Sequence, residues 1–326
     1  MRSVSVIIPS YNRAHLIGPT LESVLAQTYQ DYEVIVVDDG SSDETYHVVR
    51  RYTSRFNGGL FYIFQDNQGL SGARNTGCRF ASGRYLAFLD TDDLWKPEKL
   101  ARQVPVLASD PSIGLVASMA EVIDETGTVL RIKPHTPPGC TLKELVTRGT
   151  APPSTFVVRR EAIAGVGYFD PLIKRGLEDL DLGFRLAAAG WRLVCLEEPL
   201  IRYRLHASNL SSEPVGTYQG YVRAYEKLLA LPQEEIPQRT VRGLIGKYRY
   251  LLGTAYLHQH DARKALSEYL RAIRIAPLVG LMFATDRHAW WQRWMLALKP
   301  YAAVCGVGLA SVVGSDGSPR EKALPC

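Results

Sequence analysis

The chain has 326 residues, 46% of them hydrophobic and 22% charged, the balance of a globular protein, which excludes disordered and collagen-like classes. It exceeds a typical domain of ~150 residues and falls short of three. The net charge of +5 is unevenly spread: residues 1–216 carry 23 Lys and Arg against 25 Asp and Glu, whereas residues 217–326 carry 15 against 8, a net of +7. A basic C-terminal part is either a solvated helical surface or one drawn to an anionic partner. The chain holds no base-reading motif, so a membrane surface is the better partner and nucleic acid is not expected. Five scattered cysteines form no Cys-x-x-Cys pair, which argues against a disulfide framework or structural zinc and for a reducing compartment. Met1-Arg2-Ser3 runs directly into Val4–Ile8, too short an apolar stretch for a signal peptide. The expectation is a cytoplasmic protein, at most peripheral on the inner face of the plasma membrane.

Up to residue 115, short apolar runs alternate with helical spacing. Val4–Pro9, Glu33–Val37, Leu60–Phe64 and Tyr85–Leu89 read as strands, apolar on consecutive positions as in a parallel sheet covered on both faces. His15–Gln27 and Ser41–Arg51 read as helices between them, and strand–helix alternation means an α/β doubly wound sheet. Ser41 with Glu44 has the spacing of a capping box, and Pro97 stands where a helix's first turn accepts proline. Residues 116–215 are mixed, broken by Pro134, Pro137-Pro138-Gly139 and Pro152-Pro153, with an amphipathic helix over Gly176–Gly190. From about 217 the pattern is helical. Gly253, Tyr256, Ala265, Tyr269, Ala272 and Pro277 fall at tetratricopeptide spacing over Gly246–Val279, one helix pair, and Gly314–Pro319 closes the chain as a disordered tail.

The strongest chemical signal is Asp90-Thr91-Asp92-Asp93 directly after a buried strand. Three carboxylates in four residues repel unless something positive sits between them, and ligands of α/β sheets bind at strand carboxyl ends. A hard dication, Mg²⁺ or Mn²⁺, sharing its coordination with phosphates resolves the repulsion. Asp38-Asp39-Gly40-Ser41-Ser42-Asp43 repeats the theme at another strand end but is also ordinary turn chemistry. In Asn67–Asn75, small residues let the backbone approach a ligand and Arg74 can meet a phosphate. The segment has neither dinucleotide-fold nor phosphate-loop spacing. At Glu178-Asp179-Leu180-Asp181, Asp181 has Arg185 one turn on, whereas Glu178 and Asp179 show no nearby partner and are candidates for a general base.

In this order the clusters resemble the family 2 glycosyltransferases of GT-A fold. Val4–Arg13 is similar to the family's first strand and loop, Val36–Asp43 to its base-binding turn, and Asn67–Gly77 to its Asn-x-Gly…Ala-Arg-Asn-x-Gly segment. Leu89–Asp93 is similar to its Asp-x-Asp motif, and Gly167–Asp170 with Glu178–Leu186 to its acceptor-side segment. The resemblance implies a mixed GT-A sheet flanked by helices over residues 1–215. Of these, 1–115 would bind the nucleotide sugar and 116–215 the acceptor, followed by an all-helical part at 216–313 and a tail at 314–326. It implies transfer with inversion from a nucleotide-diphosphate sugar, a UDP-sugar in the first place, to a hydroxyl of a glycan or lipid-linked acceptor in cell-surface polysaccharide or lipopolysaccharide synthesis.

Residue by residue, the resemblance places Pro9, Tyr11, Asn12, Arg13, Asp39 and Gly69 around the nucleotide and Arg74 at the donor phosphates. Asp90 or Asp92 would approach the ribose and Asp92 or Asp93 the metal, with His206 as a further metal or phosphate contact. Asp179 would be the base and Glu178 its acceptor-side neighbour. Two alternatives stand beside this reading: a sugar-1-phosphate nucleotidyltransferase, and a non-catalytic binding protein with a partner-recruiting helical tail. In the tail, Trp290-Trp291-Gln292-Arg293-Trp294 precedes Met295–Val313. Pro300, Gly306 and Gly308 weaken a spanning helix there, so tryptophans beside arginine suit a membrane interface.

Overall fold

A computed structural model of the chain describes residues 2–133, 141–173, 176–205 and 213–277. The chain divides after Pro237 into two compact units. The first begins as the sequence predicts, with β1 (Val4–Ser10), α1 (Ala14–Leu25), β2 (Tyr32–Asp38), α2 (Thr45–Arg50), β3 (Leu60–Phe64), α3 (Gly69–Phe80) and β4 (Tyr85–Phe88) in alternation. Every residue of β1 and β2 is buried, which is why both carry unbroken apolar stretches at Val6–Pro9 and Val34–Val37. β3 lies at the sheet edge and leaves Phe61 and Phe64 exposed.

Next come β5 (Leu94–Trp95), α4 (Lys99–Ser109), β6 (Ile113–Ile123), β7 (Val129–Lys133) and α5 (Leu142–Arg148). β8 (Val157–Arg159), α6 (Arg160–Gly165), α7 (Glu178–Ala188), β9 (Arg192–Arg204) and α8 (Pro214–Ala230) complete this unit. The nine strands form one mixed sheet in the order β3-β2-β1-β4-β8-β6-β9-β5, with β7 paired to β6. β3, β2, β1 and β4 are parallel, so the segments that follow them emerge at one edge of the sheet. β8 pairs antiparallel with both β4 and β6 and joins the two halves.

Close packing of α3 on β1 depends on Gly77. A Cβ there would stand 2.5 Å from Cγ2 of the fully buried Ile7. Gly77→Ala is therefore expected to cost ~1–3 kcal/mol by overpacking, read as a lower denaturation midpoint at unchanged m-value.

The expected capping box at Ser41 and Glu44 does not form. α2 starts at Thr45, whose N–H donates to Asp43 Oδ1 at 3.0 Å, while the Ser41 hydroxyl accepts from the Asn12 N–H at 2.8 Å. A tertiary partner for the serine outcompetes the local one. Pro97 lies just ahead of α4 instead of in its first turn, since the helix begins at Lys99.

In the second unit, α9 (Gln238–His258) and α10 (Ala262–Ile275) pack on each other. Tyr250 and Tyr269 meet at a ring-centroid distance of 5.4 Å, Arg249 pairs with Glu268 at 2.6 Å, and Asp261 caps α10 by accepting from the Lys264 N–H. The pair's likeness to a tetratricopeptide unit rests on spacing alone. No described helix is long and apolar enough to cross a membrane. His206, residues 134–140 and everything from 278 on, including Trp290–Trp294 and Gly314–Pro319, lie outside the described residues.

Candidate active site

The loops after β1 and β2 are laced together. Asn12 sits in the left-handed region at φ 52°, where asparagine is better tolerated than most residues. Its N–H donates to Ser41 Oγ, and its Oδ1 accepts from the Ser42 N–H at 2.9 Å. The Arg13 N–H donates to Thr45 Oγ1, and Asp38 accepts from the Ser41 N–H and the Tyr62 hydroxyl. Pro9 is buried beneath these loops, and Tyr11 is exposed at 51%.

Asp39 is buried, with both carboxylate oxygens occupied. They accept from Gln65 Nε2 at 2.7 Å and from the N–H groups of Gln68 and Gly69 at 2.8 Å each. Its negative charge thus sits on the positive end of α3. Asp39 anchors the strand to the helix, and Gly69 belongs to that anchor through its N–H.

The acidic loop after β4 is fixed from several sides. Asp90 takes its N–H to Ser154 Oγ at 3.1 Å, and the Ser154 carbonyl accepts from Trp95 Nε1 at 2.9 Å. Behind Trp95 lies Lys99, fully buried, with Nζ 4.2 Å from the ring centroid. Burial pushes the Lys99 ammonium well below its ordinary pKa. Thr20 Oγ1 donates to the Thr91 carbonyl, so α1 also holds the loop.

Asp93 is buried. Its Oδ1 accepts from the Arg204 N–H at 3.1 Å, and its Oδ2 has no hydrogen-bond partner. Burial, then the charges of Asp92 and Asp90, push its carboxyl well above the usual range. Arg204 fastens the loop further by donating from Nε to the Asp92 carbonyl and from Nη1 to the carbonyls of Asp124 and Glu125. Asp92 is half-buried.

Arg74 supplies part of the positive charge that the acidic loop requires. Its side chain has no exposed surface, and Nη2 donates to Asp90 Oδ1 at 2.6 Å. The other arm, Nη1, donates to Glu178 Oε1 at the start of α7. Glu178 is therefore buried and ion-paired, which corrects the expectation that it lacks a partner: the partner lies 104 residues away in the sequence. Both terminal nitrogens of Arg74 are spent on carboxylates instead of facing an open phosphate site.

Asp179, next to Glu178, is half-buried and accepts from the Leu180 N–H at 2.8 Å. Burial, reinforced by the Glu178 charge, raises its carboxyl to about 7. That is where a general base works near neutrality. The turn leading into α7 is strained at Leu177, a non-glycine residue at φ 69°, as functional loops often are. α8 accommodates this turn at Gly220, where a Cβ would meet the Gly176 carbonyl at 3.0 Å. Asp181 pairs with Arg185 as expected, and also with Lys227 of α8 at 2.7 Å.

A cleft of about 540 Å³ between α1 and β5 is lined by Glu22, Lys96 and Arg202 among others. Glu22 is held by Arg55, and Lys96 and Arg202 are held by Glu121. The charged groups lining this cleft are thus already paired.

Residues 5–167 match the sequence model of glycosyl transferase family 2. The chain belongs to this family. Among its relatives are an uncharacterized glycosyltransferase of Nostoc, alr2836 (36% identical over 215 residues, 63% of this chain and 66% of that one), and the Escherichia coli UDP-Glc:alpha-D-GlcNAc-diphosphoundecaprenol beta-1,3-glucosyltransferase WfgD (39% over 127 residues, 39% and 49%). The chain thus spans about two thirds and about half of the lengths of these two. A third is the putative teichuronic acid biosynthesis glycosyltransferase TuaG of Bacillus subtilis (32% over 210 residues, 64% and 81%).

Among solved structures, S. aureus TarS 1–349 in complex with UDP-GlcNAc superposes with a TM-score of 0.68 at 18% identity over 95% of this chain and 91% of that one. The mannosyltransferase PcManGT of Pyrobaculum calidifontis, in complex with GDP-Man and Mn²⁺, does so with 0.59 at 21% over 94% and 87%. These likenesses show the fold, a GT-A mixed sheet flanked by helices with a helical C-terminal region. The chain thus shares its family with relatives named for cell-surface polysaccharide synthesis.

The sequence assigns no individual role to Ser154, Asn75 or Arg204, which the structure brings to these loops. Asn75 clamps the acceptor-side segment, exchanging two hydrogen bonds with the Phe169 backbone at 2.8 and 2.9 Å. Its place beside Arg74 in the Ala-Arg-Asn segment was the available signal. Ser154 gives none, because a serine between two prolines and a threonine reads as plain loop.

Proposed function

We propose that the protein transfers a sugar, with inversion, from a UDP-sugar to a hydroxyl of a lipid-diphosphate-linked glycan during cell-surface polysaccharide synthesis. One observation carries this reading: the acidic loop after β4 and the start of α7 meet on the single buried guanidinium of Arg74, with Asp179 outside the ion pair. Separated acidic centres on donor and acceptor sides are what such a displacement needs. The relatives' names support the substrate class, since WfgD acts from UDP-Glc on a diphosphoundecaprenol-linked GlcNAc and TarS binds UDP-GlcNAc.

In this mechanism Asp179 takes the proton of the acceptor hydroxyl as its oxygen attacks the anomeric carbon. The bond from that carbon to the diphosphate oxygen breaks on the opposite face, and the electron pair leaves with the nucleoside diphosphate. Tyr11, Asn12 and Arg13 border the nucleotide, and Asp90 or Asp92 takes the ribose. Asp92 and Asp93 would hold Mg²⁺ or Mn²⁺, for which the buried Oδ2 of Asp93, without a hydrogen-bond partner, is a fitting hard donor. Among the described residues no three His, Cys, Asp or Glu side chains converge on a metal position, so the protein alone would supply only part of the ion's ligands. When bound, it neutralises charge on the leaving diphosphate. A panel of UDP-, GDP- and dTDP-sugars, assayed by mass spectrometry for nucleoside diphosphate release with a GlcNAc-diphosphate lipid, tests the proposal. Turnover confined to UDP-sugars supports it, and release from no sugar nucleotide refutes it.

The C-terminal helices would meet the membrane that carries such an acceptor. Residues 238–277 hold eight Lys and Arg against Asp261 and Glu268, both of which are ion-paired within the helix pair. Full-length protein is expected to co-sediment with phosphatidylglycerol-containing liposomes at low salt and to be released near 0.5 M salt, where the Debye length is only ~4–5 Å. Equal binding to neutral liposomes, or none to either, rules this contact out.

A further inference from the structure

We propose that Arg74 is a positioning residue that sets the base-bearing helix α7 against the donor loop, by holding Glu178 and Asp90 on one guanidinium. The inference rests on the transferase reading above but concerns a separate matter, namely how the two halves of the site are kept in register. Nothing else described joins these two segments by a side-chain ion pair: α7 starts at Glu178, the donor loop starts at Asp90, and Arg74 reaches both.

The geometry is that of a rigid spacer. Arg74 is fully buried, its guanidinium lies 5.4 Å from the Phe169 ring centroid, and its own helix is tied to the Phe169 backbone by the neighbouring Asn75. Ser71, one turn earlier, donates to the Ile173 carbonyl at 3.4 Å. α3 thus grips the segment that leads into α7 at three points, and Arg74 makes the contact that also reaches the donor side. A fork of fixed shape can hold two carboxylates at a set separation, which a flexible ammonium cannot. Since Asp179 follows Glu178 directly, the position of Glu178 sets where the base stands. Reacting groups displaced by about 1 Å lose roughly 10²-fold in rate.

This differs from a donor-phosphate role in what it predicts. With the donor that wild type turns over in the panel, Arg74→Gln is expected to lower kcat about 10²-fold while the donor dissociation constant, measured by calorimetry, changes less than about threefold. Arg74→Lys, which keeps the charge but reaches one carboxylate, should recover only part of kcat. Glu178→Gln should cost less than Arg74→Gln. The double variant should be no slower than Arg74→Gln, because both changes remove one unit.

Loss of donor affinity at unchanged kcat overturns the proposal and makes Arg74 a donor ligand. A double variant with multiplied losses overturns it as well. If Arg74→Gln does not fold, Arg74→Lys decides by the same split between kcat and donor affinity. Should wild type release nucleoside diphosphate from no donor, the transferase reading falls and this inference with it; turnover by wild type with an affinity-only defect in the variant sinks the inference alone.

Discussion

Asp179→Asn lowers kcat by about 10²–10⁴-fold, the usual contribution of a general base, while donor affinity stays near that of wild type. The asparagine keeps the shape and can still accept from the Leu180 N–H, so a folding defect is not expected. The pH profile provides a second readout. Burial and the adjacent Glu178 hold the Asp179 carboxyl near 7, and only the ionised form accepts a proton. kcat of the wild type should therefore fall tenfold per pH unit below about 7 and level off above it. In Asp179→Asn that limb should vanish with the activity. A variant that binds donor weakly at unchanged kcat would place Asp179 on the donor side and leave the base to be found elsewhere. A limb near 4 in the wild type would mean that Asp179 is not the group that titrates.

Excess chelator abolishes turnover and Mn²⁺ or Mg²⁺ restores it, and Asp92→Asn loses about 10²–10³-fold in kcat, the scale seen when one stabiliser of developing charge is removed. Asp92 lies within a crowd of carboxylates, and its charge helps to raise the carboxyls of Asp90 and Asp93. Replacing it with asparagine relieves that repulsion and keeps the side-chain shape, so activity should fall while the protein still folds. Calorimetry of UDP-sugar binding with and without Mn²⁺ supplies a readout apart from turnover: the metal should tighten binding to wild type and do little for Asp92→Asn. Undiminished turnover in excess chelator would show that Arg74, Arg204 and the loop's own hydrogen bonds suffice without a dication.

What the sequence alone determines is the local part. The apolar runs Val6–Pro9 and Val34–Val37 select β1 and β2 because a strand covered on both faces needs mostly apolar residues. Every residue of both is buried, and the polar exceptions within them, Ser5 and Glu33, hydrogen-bond to each other. Acidic residues immediately after such strands mark the ligand edge, since the parallel strands all end there. The pairing of Asp181 with Arg185 is equally legible, because four residues span one helical turn.

Where a side chain has both a near and a distant partner, the sequence shows only the near one. Ser41 has the spacing of a cap because Glu44 is three residues away, yet its hydroxyl serves Asn12, 29 residues back. Asp39 reads locally as turn chemistry, whereas the partners of its carboxylate are Gln65 and the start of α3, 26 to 30 residues on. Glu178 looks unpartnered until the fold brings Arg74 to it across 104 residues. The reason is physical: a buried charge must be paired, and the chain meets that need with whatever the packing of sheet and helices places nearby. Spacing along the sequence carries no record of that neighbour, so which acid is ion-paired and which stays outside the pair is decided by the tertiary structure.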